Sequence, residues 1–379
     1  MRRVVILGST GSIGVQALQV VAASSDLTVV GLSCERNVGL LLEQAVSLGV
    51  RHVAVENEGA AASVTSGLYP ELRVRVGAGA AARLVEEVEA DLVLNGIVGF
   101  AGLESSLACL RAGTTLALAN KESLVCAGSL VTDVASRTGA ALLPVDSEHS
   151  ALFQLVRAAG RETVESLVLT ASGGPFRGRT AADLKAVTPE EALAHPTWAM
   201  GPKISIDSAT LANKGLEIIE AHHLFAVAYD RIEVVVHPQS VVHSAVRLRD
   251  GALLAHMGVA DMRVPIAYAL HFPQRVHVDV PALDLFSVGP LDFEPPDVDT
   301  FPMIRLARAA GRGGDRMTCA FNAANEEAVR GFLEGRLPFL GIAHVVERVL
   351  ENSGTGFFGT YAEVAAVDEE ARIHARHLI

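Results

Sequence analysis

Over the first 145 residues the apolar positions fall in short runs, each followed by a longer stretch with helical spacing. The runs predict strands over residues 3–7, 28–33, 52–55, 73–76, 92–95, 115–118 and 141–145, with helices between most of them. Strands that are apolar on both faces and alternate with helices predict a Rossmann-like, doubly wound parallel sheet in the α/β class. From Glu165 the pattern changes. SLVLTAS, KISID, IEVVVHP, HSAVRLRDG and ALLAHMG predict the strands of a mixed sheet in a central α+β domain. Residues 273–302, rich in Pro, Asp and Val, predict an extended linker. The remainder carries four stretches of helical spacing and predicts a C-terminal helical bundle. The expected domains are therefore 1–145, 146–272, a linker over 273–302, and 303–379.

Composition narrows the function classes. Half of the 379 residues are hydrophobic, enough for more than one core. Mean hydropathy is +0.35, yet every apolar run is broken well short of the ~18 residues that a membrane span needs. A formal net charge of −12 argues against binding a phosphate backbone, but leaves room for a small anion in a locally positive pocket. Cys34, Cys109, Cys126 and Cys319 are scattered without a CxxC pair, which suggests buried thiols in a reducing compartment. The chain enters its first strand at once, so a cytoplasmic location is expected.

GSTGSIG, residues 8–14, joins the first strand to the first helix. Gly8, Gly11 and Gly14 allow a tight turn and close approach to a phosphate. The helix start, with Thr10, Ser12 and Ile13, offers N–H and hydroxyl donors. The expectation is a dinucleotide site. Glu35 ends strand two, where an acid favours NAD, while Arg36 and Asn37 follow where a 2′-phosphate would sit. Residue chemistry alone leaves NAD and NADP open.

PVDSEHSA places Asp146 and Glu148 two apart at the end of another strand. On an extended segment they share a face and repel unless a cation lies between them. They are either solvated loop acids or part of a metal site. KISIDSATLANKGLEIIE reads as strand, turn and helix, with Lys214 and Glu217 on one helical face. Glu217 is either half of a surface ion pair or the third carboxylate of a site for a hard divalent ion. Ser172 in ASGGPFRG, with Ser208, Asn213 and Lys214, offers donors for a phosphate monoester. His195, Trp198 and Met200 lie in a Pro/Gly-bounded segment with poor periodicity, either capping the core or forming a lid. In ALANKES, Lys121 and Glu122 lie at the carboxyl edge of the first sheet, where such folds bind ligands.

GSTGSIG, ALANKES, PVDSEH, SGGPFR, HPTWAMG, KISIDSATLANKGLE, HPQSVVHS, ADMRVPIAYA and FNAANE occur in this order, and together they resemble the 1-deoxy-D-xylulose 5-phosphate reductoisomerase family over nearly the whole chain. The resemblance implies an NADPH-dependent oxidoreductase that uses a divalent metal (Mg2+, Mn2+ or Co2+). It would convert 1-deoxy-D-xylulose 5-phosphate, a phosphorylated sugar, into 2-C-methyl-D-erythritol 4-phosphate in isoprenoid precursor biosynthesis. It also implies a homodimer formed through the middle domain; charge and hydropathy already argue against nucleic acid and membrane as partners. By match, Asp146, Glu148 and Glu217 are the metal ligands. Ser147, Ser172, Ser208, Asn213, Lys214, Ser240 and Met262 line the substrate pocket, and His195, Trp198 and Met200 form a flap over it. Gly8, Thr10, Gly11, Ser12, Ile13, Gly14, Arg36, Asn37, Asn120 and Glu122 match NADPH contacts. Lys121, Glu148, His195 and Lys214 are the implied catalytic groups, and the general base stays open between Lys121, Glu148 and a hydroxide on the cation. One departure stands out: Glu35 replaces a glycine that many relatives carry before the basic residue.

The implied reaction rearranges a carbon skeleton to an aldehyde and then reduces it. Phosphate binding, remote from the reacting bonds, would orient the substrate and drive flap closure. Two rivals are a simple NADP-dependent dehydrogenase, which would not need the acid trio, and a non-catalytic NADP(H)-sensing protein.

Overall fold

A computed structural model describes residues 1–65, 70–198 and 200–379. In chain order the strands are β1 (Arg2–Leu7), β2 (Leu27–Cys34), β3 (His52–Val55), β4 (Arg73–Val76), β5 (Leu92–Asn95), β6 (Thr115–Leu118), β7 (Leu142–Pro144), β8 (Val164–Ala171), β9 (Ile232–Val236), β10 (Val242–Leu248) and β11 (Leu253–Met257). The helices are α1 (Ser12–Ala22), α2 (Val38–Leu48), α3 (Ala62–Thr65), α4 (Ala80–Glu87), α5 (Leu103–Arg111), α6 (Glu122–Thr138), α7 (Ser147–Ala159), α8 (Pro189–Leu193), α9 (Pro202–Ala209), α10 (Ala212–Phe225), α11 (Arg263–His271), α12 (Met303–Gly313), α13 (Asp315–Leu333), α14 (Phe339–Glu351) and α15 (Tyr361–Leu378). They fall into two compact units. The first comprises residues 1–123, 131–146 and 261–279, and the second 124–130, 147–260 and 280–379.

In the first unit seven strands pair in the order β4-β3-β2-β1-β5-β6-β7, every pair parallel. The predicted strands are all present. Those at 52–55, 73–76, 92–95 and 115–118 coincide to the residue, β1 differs by one residue at its start, and β2 and β7 differ by one residue at each end. Val4 to Leu7 of β1 are fully buried, as central strands covered on both faces must be. The chain first builds outward from β1 to β4, then returns to β1's other side with β5. This reversal is the switch point beyond which such sheets bind ligands. Residues 261–279 belong to this unit, with the Arg2 guanidinium donating to the Leu270 carbonyl at 3.0 Å.

The second unit holds a mixed sheet in the order β11-β10-β8-β9, with β8 and β9 parallel and the other pairs antiparallel. Helix α7 packs on β10, and α10 packs on β8 and β9. Helices α12 to α15 form the expected bundle, and their buried apolar residues join one core with those of α9, α10 and β8. Residues 273–302 carry no helix or strand beyond an isolated bridge from Glu294 to Val236. Among the described residues, no helix is long and apolar enough to cross a membrane.

Two local expectations are corrected. KISID is not a strand, because residues 203–207 lie in α9. Pro202 stands at the first turn, where its missing N–H costs nothing, and Gly201 caps it. Lys203 and Asp207, four apart, meet at 2.7 Å as only a helix allows. The alternation of Ile and polar residues misled because Ser205 and Asp207 are themselves buried. Asp207 accepts a 2.7 Å hydrogen bond from Asn325, far along the chain. Likewise Asp146 and Glu148 do not share one extended segment: β7 ends at Pro144, and Glu148 is the second residue of α7.

Candidate active site

The glycine loop is built from the end of β1 and the start of α1. Gly8 has φ +72°, and a Cβ there would lie 2.9 Å from the Gly96 carbonyl oxygen. A Cβ on Gly14 would lie 2.3 Å from the Gly8 carbonyl oxygen, so helix and turn touch only because neither residue has a side chain. Ser9 pins the turn from beneath: its hydroxyl donates to Gln44 Oε1 at 2.7 Å and its N–H to the Ser33 carbonyl at 2.8 Å. Gly11 caps α1 with no side-chain hydrogen bond, and Gly11 and Ser12 are exposed while Thr10 and Ile13 are half-buried. The first N–H groups of α1 therefore face outward, as an anion site requires.

At the end of β2 the Arg36 and Glu35 side chains pair at 3.1 Å while 75% and 71% exposed, a contact of little energy. Asn37 Oδ1 accepts the Leu40 N–H and caps α2. After β6, Asn120 is buried and engaged on every side. Its amide donates to the Ile97 and Gly99 carbonyls and to Glu122, and its oxygen accepts from Ser123. The expected cofactor residues Asn120 and Glu122 are thus also the bracket that joins β6 to α6. Lys121, almost wholly buried, pairs with Asp146.

In the second unit Lys214 Nζ lies 2.9 Å from Glu148 Oε1 and also pairs with Glu217. Burial works against the Lys214 charge, yet the two carboxylates raise its pKa above the ordinary value, so it stays protonated. Asn213 donates to Glu217 Oε1 at 2.5 Å, and Ser147 Oγ donates to Glu148 Oε2 at 2.5 Å. Two carboxylates from helices far apart in sequence converge on one cation, with amide and hydroxyl donors around them. His149, fully buried, reaches the Glu217 carbonyl with Nε2 at 2.9 Å and Glu220 with Nδ1 at 3.4 Å. Neither His149 nor Glu220 was assigned a role from sequence. A histidine following DSE and an acid three residues beyond Glu217 were the available signals.

The Ser172 turn packs against the end of α9. Gly173 and Gly174 have φ +85° and +68°, and a Cβ on Gly174 would lie 2.6 Å from the Ser208 carbonyl oxygen. His195 faces this turn. Its Nδ1 accepts the Thr197 and Trp198 N–H groups at 3.1 and 2.9 Å, so the ring proton is on Nε2, which donates to Ser172 Oγ at 2.9 Å. Burial lowers the His195 pKa, consistent with that neutral form. The segment reads as irregular in sequence, yet a Thr188–Glu191 capping box starts the short α8 within it. Trp198 sits against His243, ring centroids 6.5 Å apart, a partner not foreseen. Met200 is half-buried beyond it. Ser240, in the left-handed region at φ 52°, closes the turn after β9. Met262 precedes α11 in the first unit.

Three family models match. One described as 1-deoxy-D-xylulose 5-phosphate reductoisomerase covers residues 4–128, and two describing C-terminal domains of that enzyme cover 142–225 and 257–374. The 1-deoxy-D-xylulose 5-phosphate reductoisomerase of Rhodococcus jostii is 51% identical over 100% of this chain and 94% of its own. That of Mycobacterium tuberculosis H37Rv is 53% identical over 92% of this chain and 83% of its own. The Zymomonas mobilis enzyme, solved in complex with NADPH, is 41% identical with a TM-score of 0.92 over 100% of this chain and 98% of its own. A reductoisomerase solved with NADPH, fosmidomycin and magnesium has a TM-score of 0.95 at 36% identity over the same shares. With identity of this order along its full length, and family models matched along most of it, the chain belongs to the 1-deoxy-D-xylulose 5-phosphate reductoisomerase family.

Proposed function

We propose that the protein catalyses the NADPH- and divalent-metal-dependent conversion of 1-deoxy-D-xylulose 5-phosphate to 2-C-methyl-D-erythritol 4-phosphate, a step in isoprenoid precursor synthesis. Full-length identity to enzymes of that name supports the activity. The observation that carries the chemistry is the convergence of Glu148 and Glu217 on the Lys214 ammonium. A pair of acids that accepts one cation between them fits a hard divalent ion with oxygen ligands.

Asp146, Glu148 and Glu217 are the ligand set. When bound, the cation supplies Lewis-acid stabilisation of charge on neighbouring substrate oxygens, and NADPH supplies the hydride that reduces the rearranged aldehyde. The rest is the work of side chains. Ser172 Oγ accepts from His195 Nε2 and from the Gly174 N–H, which leaves its own proton to donate to a phosphate oxygen. The Gly174 contact sets Ser208 beside it, and Asn213 and Lys214 add an amide and a positive charge. Ser147, Ser240 and Met262 are the further substrate contacts, and His195, Trp198 and Met200 form the flap that excludes water. Lys121 and Glu148 are the groups positioned to move a proton. The glycine loop with Arg36, Asn37, Asn120 and Glu122 holds NADPH, its pyrophosphate at the α1 N-terminus.

The proposed division of labour is NADPH binding by 1–145, catalysis by 146–272, a linker over 273–302 and a helical domain over 303–379. The protein acts in the cytoplasm as a homodimer through its middle domain. Support for the dimer is β11, a sheet edge whose Leu253, Leu254 and Met257 are exposed. Sedimentation showing only a 39.8 kDa species would remove it.

The deciding experiment follows NADPH absorbance with 1-deoxy-D-xylulose 5-phosphate, with and without Mg2+ or Mn2+. Metal-dependent decay is expected, lost in Glu217→Gln. Decay indifferent to chelator would return the plain dehydrogenase.

A further inference from the structure

Glu220 and His149 are both fully buried, and no step above uses either. Burying a charged or polar pair contributes little to stability compared with apolar residues of the same volume, so their presence asks for another reason. Their geometry supplies one. His149 Nε2 faces the Glu217 main-chain oxygen at 2.9 Å. A carbonyl only accepts, so Nε2 carries a proton. The other nitrogen, Nδ1, lies 3.4 Å from Glu220 Oε2, an ion-pair contact rather than a hydrogen bond. Glu220 therefore fixes the ring's orientation, and the ring fixes where the backbone of Glu217 lies relative to the first turn of α7.

That first turn carries Glu148, the residue immediately before His149. Glu217 and Glu220 lie three apart on α10, so Glu220 reaches past Glu217 to the same neighbour. The chain Glu220, His149, Glu217 carbonyl thus ties the backbone of one proposed ligand to the residue beside the other. We infer that Glu220 is a positioning residue for the cation site: acting through His149, it sets the separation of Glu148 and Glu217. The inference rests on the ligand set proposed above, and concerns neither substrate nor proton transfer.

The test measures Mn2+ binding to the full-length protein without substrate, by the loss of the free Mn2+ electron paramagnetic resonance signal. Glu220→Leu keeps the volume and removes the carboxylate. Its Kd for Mn2+ should rise about tenfold or more, the usual loss when an outer partner of a metal site goes. Glu220→Gln keeps the length and a polar group at this contact and should restore affinity to within about threefold of the parent. In a His149→Leu background, Glu220→Leu should cause no further loss, because both act through one link. A purely structural role would instead weaken NADPH binding as much as Mn2+ binding, and the Kd for NADPH is expected to hold. If Glu220→Leu does not fold, Glu220→Asp, with its carboxylate drawn back by one methylene, should raise the Kd several-fold. Parental affinity in the Leu variant, or in Asp where Leu cannot be made, overturns the inference, as does an additive loss in the double variant. Glu217→Gln in the same titration separates the two ideas. If it binds Mn2+ normally, the ligand set itself is wrong. If it loses Mn2+ while Glu220→Leu does not, only the positioning role fails.

Discussion

Asp315 and His223 offer a test of burial against charge that does not involve the active site. Asp315, at the start of α13, is 1% exposed and accepts from the Ser129 N–H at 3.0 Å and its hydroxyl at 3.2 Å. Those donors meet a break in α6, where Ala127 leaves helical geometry. Desolvation pushes the Asp315 carboxyl up from 3.8 to about 6, although the Ser129 hydrogen bonds oppose it. His223, 3.7 Å away, is pushed down by burial to about 3. Between pH 3.8 and about 6 the folded protein holds a proton on Asp315 that the unfolded chain has lost, so this group's contribution falls as pH rises. His223 does the reverse. The unfolded chain takes up a proton below 6.5 that the folded ring refuses, so its contribution falls as pH drops. In the parent the two slopes nearly cancel over their shared range. Asp315→Asn leaves an oxygen for the Ser129 N–H but removes the titration. At about 1.4 kcal/mol per pKa unit, keeping the carboxylate ionised inside costs about 3 kcal/mol. The variant should therefore gain about 1 to 3 kcal/mol at pH 7. That gain should shrink by about 1.4 kcal/mol per pH unit from pH 6 to pH 4. Urea unfolding followed by circular dichroism from pH 4 to 7.5 measures it. Taking the difference between variant and parent removes the His223 slope, common to both. A flat difference curve would refute the claim that burial governs Asp315.

Gly14→Ala puts a methyl within 2.3 Å of the Gly8 carbonyl oxygen, a backbone atom that cannot step aside. NADPH affinity should fall at least tenfold by fluorescence titration, with a destabilisation of about 1 to 3 kcal/mol as for other overpacked sites. Arg36→Ala breaks only an exposed ion pair, so its unfolding midpoint should not move, while the ratio of kcat/KM for NADPH over NADH should drop as the 2′-phosphate loses its partner. An unchanged ratio would take Arg36 out of the cofactor site.

The parallel sheet was legible because a strand buried on both faces writes itself as an apolar run, and β1 and β5 are such runs. KISID failed for the same reason in reverse: five alternating residues satisfy a strand period, and the buried Asp207 and Ser205 mimic an exposed face. The candidate site was legible where short motifs carry it. GSTGSIG and NKGLE announce a tight glycine turn and a Lys–Glu face from local spacing alone. Partners were not legible. Nothing near Asp146 marks Lys121 as its counter-ion, and nothing near Trp198 marks His243.

Local order along the chain determined where most strands and helices fall, where the glycine turn lies, and which side chains can carry chemistry, because these depend on periodicity and on backbone freedom at single residues. The tertiary structure alone decided that Glu148 and Glu217 share one ammonium, that His149 holds the Glu217 backbone, and that Asp315 meets Ser129, 186 residues earlier. Those outcomes depend on which buried charges and donors come within a few ångströms when the core closes, and the free energy of such meetings is set by desolvation and geometry that no stretch of sequence contains.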